Sequence, residues 1–150
     1  MMFSSRAVDF LKEVEGFSET PYQDQACNWT IGYGHKIVDG DSYYPMGPKK
    51  KITKAAATTL LKSDMQDKAG NYIDRYVHVE LTQNQYDALT SFVYNIGADA
   101  FFNSTMLKFL NDKNFIKAAG EFHKWCHIEG HISEGLVCRR SDEKHIFMSE

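Results

Sequence analysis

All three prolines of this 150-residue chain, Pro21, Pro45 and Pro48, lie in its first third, and none follows Ile52. Proline removes a backbone donor and breaks helix interiors, so the last two thirds are free to be mostly helical. The densest glycine group, Gly32, Gly34, Gly40 and Gly47, shares the proline-bearing segment. The composition shift near residue 50 therefore predicts a small β or loop-rich part followed by a larger helical part. A chain of this length forms one domain with enough core to fold without a staple. Hydrophobic residues make up 43% and charged residues 25%, the balance of a globule and not of a disordered chain.

Helix signals are specific. Val8, Leu11 and Val14 recur at helical spacing over Ser5–Glu15, with Ser4 or Ser5 as cap and Gly16 as terminator. Thr53 caps a long helix running toward Ile73. Thr82 and Gln85 have the spacing of a capping box. Further helices are predicted at 104–110, 115–126 and 136–148. Residues 28–33 alternate instead, which predicts a strand with Trp29, Ile31 and Tyr33 inward. Thr30, Gly32 and Gly34 then share the opposite face, where the glycines would let a bulky polymer approach the backbone.

Function classes narrow by exclusion. The net charge of −3 gives no footprint for nucleic acid. No apolar run approaches the ~20 residues of a membrane span. The start lacks the pattern of a signal peptide, so synthesis in the cytosol is expected. Cys27, Cys126 and Cys138 are an odd set, expected as reduced thiols, with a Cys27–Cys138 bridge left open. Lys49-Lys50-Lys51 is too short for a nucleic-acid arm. His123 and His127 sit at a spacing that can chelate zinc on a helix, yet no acidic residue stands at a natural third position, and Gly130 is expected to end that helix. No metal is expected. Phe92, Phe122 and Trp125 are core candidates.

Chemistry concentrates in Glu15–His35. Glu15 closes a helix, Asp24 follows a Pro21 turn, and Thr30 lies on the strand. Reversals at Gly16 and Pro21 can set two carboxylates on opposite sides of one groove, as cleavage of a glycosidic bond requires. Spacing alone leaves open that both are merely solvated.

The motifs Glu15-Gly16, Tyr22-Gln23-Asp24 and Thr30-Ile31-Gly32-Tyr33-Gly34-His35 resemble the signature of the phage-type lysozymes, the endolysin muramidases. The likeness continues through Leu81–Leu89, Ser91–Gly97, Phe102–Leu107, Ala118–Trp125 and Gly135–Arg140. Cys27 departs from it, standing where the family usually has glycine, and so does Cys138, where many members have arginine.

The resemblance implies an α+β, lysozyme-like fold in a single domain over 1–150. A small β-hairpin lobe (about 16–50) and a larger helical lobe (about 51–150 plus the N-terminal helix) would flank the active-site cleft. It implies an inverting muramidase that cuts the N-acetylmuramic acid–N-acetylglucosamine bond, with carboxylates ~6.5–9.5 Å apart. Glu15 would be the general acid, kept protonated by partial burial. Asp24 would stay ionised and Thr30 would hold water. His35, Lys36, Tyr94, Asn95, Ser104 and Thr105 would bind substrate, and Arg139 or Arg140 would orient the acid. No cofactor is implied. The partner would be peptidoglycan, met by a monomer without membrane insertion after release from the host cytoplasm by a holin or similar machinery. A lytic transglycosylase would leave a 1,6-anhydro sugar, and a catalytically inactive wall-binding domain would leave the wall intact.

Overall fold

The computed structural model describes residues 1–43 and 50–150. Pro45, Gly47, Pro48 and Lys49, singled out above, lie outside the described residues. The chain divides into two compact units, Val8–Asp64 and Met1–Ala7 with Met65–Glu150.

In the first unit, helix α1 (Ser5–Glu15) buries Val8 and Leu11 and stops where Gly16, at φ 71°, returns its amide to Lys12. Val14, expected inward, is exposed. A three-stranded antiparallel sheet follows: β1 (Ser18–Gln23), β2 (Trp29–Gly32) and β3 (His35–Lys36). Between the pairs Ser18–Gly32 and Tyr22–Thr30, three residues of β1 stand opposite one of β2. Pro21 lies in that bulge, where its missing N–H interrupts no regular ladder. Helix α2 (Lys54–Met65) starts as expected, its Ala56 amide donating to Thr53 Oγ1 at 3.1 Å.

The strand alternation holds only in part. Ile31 and Tyr33 are in the core, but Trp29 is 39% exposed and Thr30 only 3%. Gly32 is buried as well, because α2 covers its face: a Cβ there would lie 3.1 Å from Ala57 Cβ. The close approach that this glycine permits is that of a helix, not of a polymer.

In the second unit, a π turn (Gln66–Gly70) leads to α3 (Asn71–Tyr76), α4 (Gln83–Ile96), α5 (Ala98–Phe102), α6 (Thr105–Asn111) and α7 (Phe115–Gly120). Both halves of the predicted capping box form at Thr82 and Gln85. The helix expected over 115–126 ends early, in a 3-10 turn at Phe122–Lys124. A hairpin, β4 (His127–Ile128) and β5 (His131–Ile132), takes its place before α8 (Glu134–Met148). Its turn residues Glu129 and Gly130 have φ of 50° and 82°, the pattern of a two-residue hairpin turn. Gly130 thus turns a hairpin, and His123 and His127 no longer share a helix face, which removes the chelating spacing. The core gathers Phe92, Phe101, Phe122 and Phe147, with Trp125 edge-on to Phe92 at 5.9 Å.

Helices α4 and α8 bury charge between them. Glu143 takes hydrogen bonds from Ser91 Oγ (2.5 Å) and Arg139 Nε (3.3 Å) and lies 3.2 Å from Arg140 Nε. Arg140 also donates to Asn95 and stacks 5.1 Å over Phe92. Burial pushes the Glu143 carboxyl up, against the pull of both arginines. Removing one member leaves the others charged and dry. Glu143→Ala should cost about 3–5 kcal/mol in chemical unfolding. A loss under about 1 kcal/mol would show that the cluster is solvated.

Candidate functional site

The unit Val8–Asp64 carries Glu15, Asp24, Thr30, His35 and Lys36. Glu15 is the last residue of α1 and half-buried. Gly34, at φ 77°, makes room for it: a Cβ on Gly34 would lie 2.9 Å from Glu15 Oε2. Only a residue without a side chain lets the acid lie against this backbone. The second glycine of the strand motif is therefore fixed by the carboxylate.

Asp24 is held by its own turn. Its Oδ1 accepts the amides of Asn28 (2.8 Å) and Ala26 (2.9 Å), and its backbone closes on Asn28 and Cys27. The Asn28 amide first, then that of Ala26, hold its carboxyl below the usual aspartate range, with Lys36 adding a smaller pull. Both amides bind Oδ1, and the Asn28 side chain adds a further hydrogen bond to the carboxylate. The price of this grip falls on Cys27, a non-glycine residue at φ 63°. A left-handed backbone of this kind is one that glycine adopts without strain. Cys27 and Cys138 are exposed free thiols, so the bridge left open above is not formed.

Thr30 is not the open groove residue expected. Its hydroxyl donates to the Asn28 carbonyl at 2.9 Å. The strand register pairs it with Tyr22 on one side and Lys36 on the other, giving a row across one sheet face.

His35 is also placed differently. Its Nδ1 lies 2.7 Å from Asp64 and its Nε2 2.5 Å from Asp41, so both ring nitrogens are engaged within the protein. Burial disfavours its charge, but the Asp64 and Asp41 hydrogen bonds outweigh this and raise its pKa above 6.5. Asp41, despite burial, is held below 3.8 by His35 and by the Tyr43 amide. His35 fastens the sheet and is not poised to meet substrate. Neither carboxylate was foreseen, being 6 and 29 residues distant.

The remaining expected residues lie in the other unit. Ser104 is 5% exposed and caps α6, accepting from the Leu107 amide and donating to the Phe101 carbonyl, so it is a structural cap. Thr105 and Asn95 are exposed, and the Asn95 oxygen receives Arg140. Tyr94 is half-buried with the Lys68 ammonium 5.7 Å over its ring. Arg140 is wholly buried on Glu143 and Asn95, a structural place. Arg139 is 8% exposed and donates to Ser91 and Glu143.

A small antiparallel sheet with a mostly helical remainder, and a glutamate, an aspartate and a threonine spaced as in Glu15, Asp24 and Thr30, define a lysozyme-like protein. The phage lysozyme family model matches residues 12–143. The endolysin of Salmonella phage P22 is 40% identical over 150 residues, 99% of either chain. A crystal structure of a P22 lysozyme mutant matches with a TM-score of 0.87 at 39% identity, covering 99% of both chains. The endolysin of Bacillus phage B103 is 37% identical over 99% of this chain but 55% of its own length. The chain thus spans about half the length of the first curated relatives it matches. It belongs to the phage lysozyme family, and its fold is the family's α+β arrangement.

The His35 clamp sets a pH window. A raised histidine pKa contributes stability below 6.5, lost as pH climbs through the folded value. A lowered aspartate pKa contributes above 3.8, lost as pH falls through the folded value. His35→Asn should therefore cost most between those two pH values, about 3 kcal/mol for a largely buried pair. Thermal unfolding of both proteins across pH checks this, and a gap that does not vary with pH would refute it.

Proposed function

We propose that this chain hydrolyses peptidoglycan as a muramidase, at the bond between N-acetylmuramic acid and N-acetylglucosamine, using Glu15, Asp24 and Thr30. The observation that carries the reading is the unequal environment of two carboxyl groups in one unit. Asp24 Oδ1 is bound by two backbone amides and its charge is favoured. Glu15 lies half-buried against the backbone at Gly34. Two carboxyl groups with divergent surroundings suit an acid and an ionised partner. That the relatives from phages P22 and B103 are named endolysins supports the same activity.

Glu15 protonates the leaving glycosidic oxygen. Asp24, anionic before the attack, balances positive charge on the sugar and takes the proton that the attacking water gives up. Thr30 spends its proton on the Asn28 carbonyl, so its oxygen can only accept. A water that donates one hydrogen to Thr30 and the other to Asp24 turns a lone pair toward the sugar. That is a single displacement with inversion. A transglycosylase has no use for such a water, so retention of Asp24 and Thr30 favours hydrolysis. The reading takes residues 1–150 as one lysozyme-like domain. Synthesis in the host cytoplasm and release by a holin-type pore complete it. Among the described residues, no helix is long and apolar enough to cross a membrane.

Glu15→Gln should cut the rate of wall clearing at least ~10²-fold while the protein stays folded. Clearing near the wild-type rate would remove Glu15 from its role. Mass spectrometry of the digest should find hydrolysed reducing ends, and 1,6-anhydro ends would replace hydrolysis with transglycosylation. Gly34→Ala tests the packing of the acid. Its Cβ displaces the end of a flexible side chain, and its left-handed backbone costs only about 1–2 kcal/mol. Activity should therefore fall more than tenfold in a protein that remains folded. Full activity would mean that the carboxylate need not rest there.

A further inference from the structure

Tyr22 takes no part in the reading above, yet the sheet places it among the same groups. It stands directly opposite Thr30 across the β1–β2 pair, and directly opposite residues share one face. It follows the bulge at Pro21 and precedes Asp24 by two residues. Tyr22 is 38% exposed. Lys36 ends the same row on the far side of Thr30.

Its electrostatic setting is equally specific. Partial burial, then Glu15, then Asp24 raise the phenol above the usual tyrosine range. Both carboxylates act on it through space and oppose a phenolate. The hydroxyl therefore keeps its proton throughout the range in which a wall enzyme works, and stays a hydrogen-bond donor. A cation at this position would pair with the carboxylates and change their charge balance. A neutral phenol supplies a donor and leaves that balance intact. The carboxylates also repel anionic ligands, so the acceptor that fits is uncharged: a sugar hydroxyl, an ether oxygen or an amide carbonyl. Tyrosine adds an apolar ring face of the kind that sugar rings can lie against.

We propose that Tyr22 is a specificity-determining residue of the site, its ring face carrying a sugar next to the scissile bond and its hydroxyl donating to an uncharged glycan oxygen. This rests on the reading of Glu15 and Asp24 given above, and it adds a contact to the carbohydrate that those residues do not supply.

The test compares wild type, Tyr22→Phe, Tyr22→Leu and Glu15→Gln on purified peptidoglycan, with kcat and KM measured per folded enzyme and thermal unfolding in parallel. Tyr22→Phe keeps the ring and loses one neutral hydrogen bond. It should lower kcat/KM about three- to tenfold with the unfolding midpoint unchanged. Tyr22→Leu loses the ring face too and should fall further, mainly through KM. Where Tyr22→Leu fails to fold, Tyr22→Phe decides alone. Tyr22→Phe within twofold of wild type, or a loss that merely follows the folded fraction, overturns the proposal. If Glu15→Gln is then inactive, the wider reading survives the loss of Tyr22. An active Glu15→Gln removes both.

Discussion

Strand β3 is two residues long, and a ladder that short cannot hold its own position. His35 does so instead. One imidazole ring joins Asp64, in the last turn of α2, to Asp41, in the loop that follows β3. The residues on either side of it are those the site needs fixed. Gly34 provides the surface against which Glu15 rests, and Lys36 ends the row through Thr30 and Tyr22. Without the clamp, the sheet edge would be held by few backbone hydrogen bonds, and the glutamate would face a mobile wall. The hydrogen bonds to Asp64 and Asp41, and then their charges, raise the histidine pKa against the effect of burial.

The three-residue separations of the caps made the helical part legible. Thr53, Thr82 and Gln85 and the Gly16 stop act within one turn, and local spacing is enough to find them. The hairpin at 127–132 escaped because its signal is weak. Glu-Gly lacks the usual asparagine or aspartate at the first turn position, and His123, Cys126 and His127 imitate a helix face. The strand at Trp29–Gly32 misled for another reason. Alternation describes a sheet with one wet face, whereas Ala57 closes this one over Gly32. His35 looked like a groove residue because Asp64 is distant in sequence and carries no local mark.

Resemblance and physics contributed differently to the candidate site. The motif located Glu15, Asp24 and Thr30, but no motif says that Thr30 gives its proton to Asn28 or that Ser104 is spent as a cap. Burial and hydrogen bonding decide those. The two arginines illustrate the point. Adjacent in sequence, they were interchangeable as orienting groups. About 100° of rotation on α8 separates them: Arg140, wholly buried, meets Glu143, Asn95 and the Phe92 face, while Arg139, also buried, meets Glu143 and Ser91. The buried glutamate that sorts them is itself i+3 from one and i+4 from the other, the two spacings at which a helix brings side chains together.

Cys27 shows how the demands of one residue can be met by straining another. Asp24 draws amides from both neighbours of Cys27, Ala26 and Asn28, onto a single oxygen. A backbone that delivers both must turn left-handed between them, where a side chain costs about 1–2 kcal/mol. Glycine would remove that cost. It would also widen the conformations open to the loop when unfolded, so part of the gain would be returned. The difference is small against the total stability of a domain this size. The loop can therefore tolerate cysteine so long as the amides still converge on Asp24. Backbone geometry, not the identity of residue 27, is what holds the carboxylate ionised.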